Sequence, residues 1–287
     1  MSISIRSDYR DNEELRTSFN ELAGKVFSLD FDGWYRNGFW KENYDPYSVV
    51  IDGKVASNVS VNKCDMNYKG QIIRLLQLGT VMTDPDHRGK GYSRMIIEKI
   101  MDEYEDKVDG IYLFANDSVK EFYPRFGFRE SREYQCGKEV SVSAERSVIP
   151  VPMKTKEDWD RMVTILNGRS QNSAMYMVGN SGLYMFYLSQ FMQENVYRLP
   201  EKDTYVIAEE EDETLILHAV IGETDIDTVI TAFGAGVNKV TLCFTPKDAD
   251  GFDLRELHEE DTTLFVKGRF FDEKDADEYM FQAITHA

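Results

Sequence analysis

The sequence predicts an α+β protein: a mixed parallel and antiparallel sheet flanked by helices, followed by a second, smaller α+β unit. Three observations carry that reading. β-rich runs and helical stretches are interleaved along the 287 residues rather than grouped. The segment Leu75 to Asn116 reads strand–helix–strand, and such a right-handed crossover makes its two strands parallel neighbours. The periodic pattern breaks across "SVSAERSVIPVPMKT", where Pro150 and Pro152 mark a boundary. The expected division is therefore 1–140, a linker at 141–155, and 156–287.

The elements follow in order. "ISIR" (Ile3 to Arg6) alternates as a first strand should. Asp11 is placed to cap a helix in which Leu15, Phe19, Leu22 and Val26 share one face. The aromatic, glycine-broken stretch "DFDGWYRNGFWKENYDPY" reads as a short helix and a loop. Asp52-Gly53 then joins two β-rich runs in a hairpin, and "YKGQ" turns the chain into a third antiparallel strand, "IIRLLQLGTVMT". Met95, Ile96, Ile97, Ile100, Met101 and Tyr104 recur at helical spacing, "DGIYLFAN" is a strand, and "DSVKEFYPRFGF" a short helix turning into another strand. The second part reads helix, helix, hairpin, helix, strand ("KVTLCFTP") and strand ("TTLFVKGRF"), a shortened echo of the first.

Composition narrows the class. With 42% hydrophobic and 13% aromatic residues the chain is globular, and no apolar run approaches the roughly 20 residues needed to span a bilayer. The start, "MSISIRSDYRDNEELR", has no apolar signal core. Cys64, Cys136 and Cys243 are odd in number and far apart, so they read as reduced thiols of a cytoplasmic protein. His87, His218, His258 and His286 are too scattered for a metal site, and no metal is expected. Against 33 Lys and Arg stand 51 Asp and Glu, a formal charge of −18. Such a field disfavours nucleic acid and anionic membranes as partners and suits a cationic amine.

The chemistry concentrates in "TDPDHRGKGYSRMII", between the third antiparallel strand and the next helix. A helix N-terminus leaves about four N–H groups without intrahelical partners and carries partial positive charge. Gly89 and Gly91 bare that backbone, Ser93 is small, and Arg88 and Lys90 add charge, so the stretch is either a simple turn before a helix or a pyrophosphate cradle. A P-loop fits poorly because Lys90 is followed by Gly91, and a Rossmann fingerprint because the preceding strand closes an antiparallel meander.

Arg88-Gly89-Lys90-Gly91-Tyr92-Ser93 resembles the R/Q-x-x-G-x-G/A signature of the GNAT N-acetyltransferase superfamily, and "FANDSVKEFYPRFGF" resembles that family's later strand, helix and "Y-x-x-x-GF" segment. The resemblance covers Ile3 to Arg132. It implies a GNAT-type sheet and acetyl-CoA as acetyl donor to a small-molecule or peptide amine, by direct transfer. The amides of Arg88, Gly89, Lys90, Gly91, Tyr92 and Ser93 would hold the pyrophosphate. The backbone of Val81 and Thr83 and the side chain of Asn116 would hold the pantetheine, one strand amide polarising the thioester. Tyr123 would protonate the departing thiolate.

Departures matter too. Ser93 stands where Gly or Ala is usual, and Pro124 directly follows Tyr123, where it would bend or end the helix. The third strand offers Gln77 and Thr80 but no carboxylate base; Asp30, Asp32 and the C-terminal carboxylate remain as candidates. Trp34, Tyr35 and Trp40 lie where the family forms its acceptor wall; they read as a cation–π pocket or as packing under a loop. The second half has no phosphate loop: "AVIGETDIDTVI" carries one glycine and three acids. It reads as a degenerate GNAT-like unit or an unrelated α+β domain, walling the acceptor cleft or forming a homodimer contact. A two-part chain of this kind is also similar to the enhanced-intracellular-survival type of acetyltransferase, which would imply an aminoglycoside or polyamine acceptor. A non-catalytic acyl-CoA-binding or regulatory protein is the competing class.

Overall fold

Asn12, not Asp11, starts the first helix: its side chain accepts the Leu15 amide at 3.0 Å, because Asn12 is the residue whose extended backbone immediately precedes the helical turn. In the computed structural model, which describes residues 2–274 and 278–287, that helix follows strand β1 (Ile3–Arg6). Helix α1 (Glu13–Phe27) buries Leu15, Phe19, Leu22 and Ala23, and a short α2 (Asp32–Arg36) comes next. Strands β2 (Tyr44–Ile51), β3 (Lys54–Tyr68) and β4 (Gln71–Thr83) form the antiparallel meander. Asp52 and Gly53 both take positive φ in the first hairpin, as the turn chemistry requires.

Helix α3 (Tyr92–Tyr104) then crosses to β5 (Gly110–Ala115), which pairs parallel with β4 from Leu75↔Gly110 to Leu78↔Leu113. The helix expected over "DSVKEFYPRFGF" is instead two 3₁₀ turns, Asp117–Val119 and Tyr123–Phe126. Pro124 has no amide hydrogen with which to continue an α-helix. Strands β6 (Arg129–Glu130) and β7 (Tyr134–Glu139) end the first half.

The second half runs β8 (Ile149–Pro150), α4 (Lys156–Gly168), β9 (Met175–Val178), α5 (Ser181–Leu188), β10 (Val196–Leu199), β11 (Thr204–Glu211), β12 (Thr214–Ile221), α6 (Ile226–Phe233), β13 (Lys239–Leu242), β14 (Asp253–Glu256), β15 (Thr263–Lys267) and α7 (Arg269–Glu273). Two sheets result. One has the order β1-β2-β3-β4-β5-β15-β6, with β9 pairing on the far end of β3; the other, β8-β10-β11-β12-β13-β7-β14. Each path has three antiparallel pairings, then one parallel pairing, then two antiparallel ones.

In each sheet the strand after the parallel pair comes from the other half of the chain. β15 fills the first sheet between β5 and β6, and β7 fills the second between β13 and β14. The strand "TTLFVKGRF", read as part of the second unit, therefore belongs to the first sheet, and sheet pairing crosses the expected linker in both directions. Alternating apolar residues identify a strand but not its sheet.

The two halves also share a core. One apolar cluster combines Phe19, Trp34 and Trp40 with Leu183, Tyr184, Met185 and Leu188. The Trp34 indole N–H donates to the Gly182 carbonyl at 2.7 Å. A Cβ on Gly182 would lie 2.3 Å from the Phe39 oxygen, so only glycine lets α5 approach so closely. Buried Gln171, Tyr184 and Gln282 form a closed ring of three hydrogen bonds within the second half.

Candidate active-site cleft

Past Leu78 and Leu113, β4 and β5 no longer pair, and a cleft of about 790 Å³ opens between them. A bulge aims the β4 side: Gly79 pairs with Ser60 and Met82 with Asn58, so Thr80 and Val81 together face Val59. Thr80 takes φ +46. Thr80, Val81 and Thr83 form one wall; Phe114, Asn116, Phe122 and Tyr123 form the other. The loop His87–Ser93 lines one end, and Val26, Phe27, Leu29 and Ala287 also border the space.

The start of α3 is bare. Gly91 is the N-cap in the left-handed conformation (φ +79), and no side chain caps the first-turn amides. A Cβ at Gly89 or Gly91 would meet no protein atom within 4 Å, so both face open space. The Ser93 hydroxyl is tied to Thr83 (2.8 Å) and Ser57 (3.2 Å), which fixes the first turn to β3 and β4. Lys25 pairs with Asp84 at 2.8 Å and steadies the loop entrance. These amides, the dipole behind them and Arg88 fit a pyrophosphate group.

Of the residues named from sequence, Val81, Thr83, Arg88, Gly89, Gly91, Tyr92, Ser93, Asn116 and Tyr123 line this one cleft. Lys90 does not: its ammonium turns back to the Asp86 carbonyl at 3.0 Å. Tyr123 keeps its place at the wall despite Pro124, because the 3₁₀ turn begins at Tyr123 itself. Burial pushes the Tyr123 phenol up to about 12, so at neutral pH it holds its proton and can donate it.

The aromatic residues expected at the acceptor wall lie elsewhere. Trp34 and Trp40 are 2% and 3% exposed, in edge and stacked contacts with Phe31, Tyr44 and each other, and the Trp40 N–H is spent on the Tyr44 carbonyl. Tyr35 sits under the Arg16 guanidinium, 3.7 Å from the ring centroid. These rings pack the core, and none of the three borders the cleft.

Among the base candidates, Asp30 accepts the Asn20 amide and the Asp32 N–H, while Asp32 pairs with Arg36. Neither borders the cleft; Ala287 does. A Cβ on Gly79 would lie 2.4 Å from the Ala287 oxygen, so bare backbone at 79 admits this segment. Gln77, oriented by its partners, donates to the Thr285 carbonyl and accepts from the Ala287 amide, each at 3.2 Å. Tyr187 donates to the His286 carbonyl at 2.6 Å, and the imidazole stacks on Phe114, 3.6 Å between centroids. Burial holds His286 neutral, near 3. The sequence named only the terminal carboxylate of this tail as a candidate; nothing in "QAITHA" advertises where the segment docks.

No side-chain carboxylate is among the cleft residues described; the charged side chains there are Arg88, Arg94 and Arg125. No group of three or more His, Cys, Asp or Glu among the described residues could hold a metal ion. No described helix is long and apolar enough to cross a membrane. Cys64, Cys136 and Cys243 are free and buried.

Residues 12–131 match the family model of the acetyltransferase (GNAT) domain. No curated protein matches the sequence. Among solved structures the chain is similar to a conserved protein from Enterococcus faecalis V583 described as a probable N-acyltransferase. The TM-score is 0.62 at 15% identity, over 94% of this chain and 73% of that one. It is also similar to a GCN5-related N-acetyltransferase from Anabaena variabilis (0.57, 13%, 92% and 72%) and to Eis1 from Mycobacterium abscessus (0.55, 12%, 96% and 76%). At these identities the likeness is one of fold, and it extends over both halves.

Proposed function

We propose that this chain, with its acetyltransferase (GNAT) domain at residues 12–131, moves an acetyl group from acetyl-CoA to the amine of a small molecule or peptide. One observation carries the reading: an uncapped helix N-terminus, preceded by Gly89 and Gly91, opens into the same cleft as a protonated, buried tyrosine. Acetyl-CoA would supply an activated acyl thioester. The first-turn amides of α3 would hold its pyrophosphate, and β4 would pair with the pantetheine arm. The Val81 amide would stabilise the charge that grows on the thioester oxygen as the C–N bond forms. Tyr123 would then give its proton to the sulfur as the C–S bond breaks. The amine's own proton would leave through water, since no lining side chain is a carboxylate.

The surface charge of −18 attracts cations to the molecule, but the cleft itself offers a polycation no acidic side chain. That favours an acceptor whose reacting amine arrives neutral. The same lack supports a second reading, a coenzyme-binding protein without transfer chemistry.

Calorimetric titration with acetyl-CoA, followed by thiol release across a panel of amines, separates the two. The enzyme reading expects one site per chain and amine-dependent thiol release. Tyr123→Phe should cut that release by roughly 10²–10⁴-fold while leaving acetyl-CoA affinity unchanged. Binding without release from any amine would favour the second reading, and no binding at millimolar ligand would remove both.

A further inference from the structure

Thr80 is the one residue among eight described non-glycines with positive φ that is β-branched and lies inside a strand; the others are Asp, Ser or Lys in turns and at helix ends. Left-handed backbone is a true outlier for such a side chain, and it persists only where surrounding structure enforces it. The enforcement is visible. Asn58 Nδ2 donates to the Thr80 carbonyl at 3.0 Å, and the Tyr44 hydroxyl pairs with Thr80 Oγ1 at 2.9 Å.

Asn58 is itself clamped. Its Oδ1 accepts from Ser48 Oγ at 2.8 Å, its Nδ2 also donates to Ser60 Oγ at 2.9 Å, and Ser48 Oγ meets the Tyr9 hydroxyl at 2.7 Å. Asn58, Ser48 and Ser60 are 0% exposed. A polar network so deep in a sheet is expensive unless every member is satisfied, and here its bonds converge on one strained cleft residue.

We propose that Asn58 and Tyr44 are positioning residues for acyl transfer: they hold Thr80 left-handed, and so keep the bulge whose next amide, Val81, points at the thioester oxygen. The inference rests on the cleft's being the acetyl-CoA site. Neither residue touches the reacting atoms; both act through Thr80. Asn58 replaces, with its side chain, the ladder contact that the bulge takes from the Thr80 carbonyl.

The test needs no acceptor. [1-¹³C]Acetyl-CoA is bound to the full chain, and its carbonyl resonance is compared with that of the free thioester. Amide donation to the oxygen moves the bound resonance to higher frequency. Tyr44→Phe removes a single oxygen, and Asn58→Ala removes the clamp. Both should return the resonance towards its free position, with acetyl-CoA affinity, carried by the glycine loop, within about threefold of wild type.

Thr80→Gly added to Asn58→Ala should restore the shift, because glycine takes positive φ without the steric cost. A purely structural role for Asn58 would give no such rescue. An unchanged resonance in Tyr44→Phe, or no restoration by Thr80→Gly in a folded double variant, overturns the proposal. If Asn58→Ala does not fold, Tyr44→Phe alone decides. Failure of wild type to bind acetyl-CoA is a different result, which removes the functional reading and this one with it.

Discussion

The two halves build the same corner twice and finish it in opposite ways. In the first, β4 runs through a loop with glycines at 89 and 91 into α3, whose N-cap offers no side chain. In the second, β12 passes through "GETD" into α6, and Asp225 caps it by accepting the Thr228 amide and hydroxyl, each at 2.8 Å. Glu223 beside it is held by Lys247 and Ser170. One helix end is left bare at a cleft; the other is neutralised from within. On the proposed function, what would make a phosphate site is not the strand-to-helix corner, which both halves own, but the absence of anything in it.

That contrast can be broken where it is strongest. Gly91→Glu puts a carboxylate over the α3 amides and should lower acetyl-CoA affinity by at least about 1,000-fold, some 4 kcal/mol, in a calorimetric titration. Unchanged affinity would mean that the corner is only a helix start.

The junction between the halves gives the next largest effect. Glu133, on the segment that leads from β6 in one sheet to β7 in the other, is 6% exposed and accepts the Phe281 amide at 2.8 Å. Burial pushes its carboxyl up to about 8. The folded state thus binds this proton more tightly than the unfolded chain does. Its contribution is whole below the ordinary glutamate range and is lost as pH rises through 8. Glu133→Gln should gain on wild type by on the order of 3 kcal/mol between pH 5 and pH 8.5 in denaturant melts. Parallel pH profiles for the two proteins would show that Glu133 is already charged.

The smallest effect sharpens the comparison. Asp225→Ala should cost about 1 kcal/mol of stability as a lost cap, yet leave coenzyme stoichiometry at one site per chain. A second site would show that one acid was all that kept the second corner from binding.

Much of the first half was legible because its signals are local. Asp52-Gly53 fixes a hairpin, "HRGKGYS" an anion corner, and the Ile96–Met101 spacing a helix face, each without reference to distant residues. Nine named site residues meet in one cleft because a strand–helix–strand crossover leaves them little choice. What stayed hidden depends on partners far along the chain. Trp34 and Trp40 read as wall or core until α5, some 150 residues later, packs over them and its Gly182 carbonyl takes the Trp34 N–H. The Lys90 ammonium, read as added charge for the loop, turns back to the Asp86 carbonyl. The strain at Thr80 has no sequence signature at all, since threonine in a strand is the ordinary case.

The exchanged strands also set a timetable for synthesis. β5 leaves the ribosome with its edge open, and the strand that closes it, β15, follows only after nearly the whole second half has been made. At roughly 5–20 residues per second, the nascent first sheet waits about 7 to 30 seconds with an unpaired central edge. The first sheet therefore cannot be completed ahead of the second half. A chain cut in the linker would part the first sheet from β9 and β15 and the second from β7.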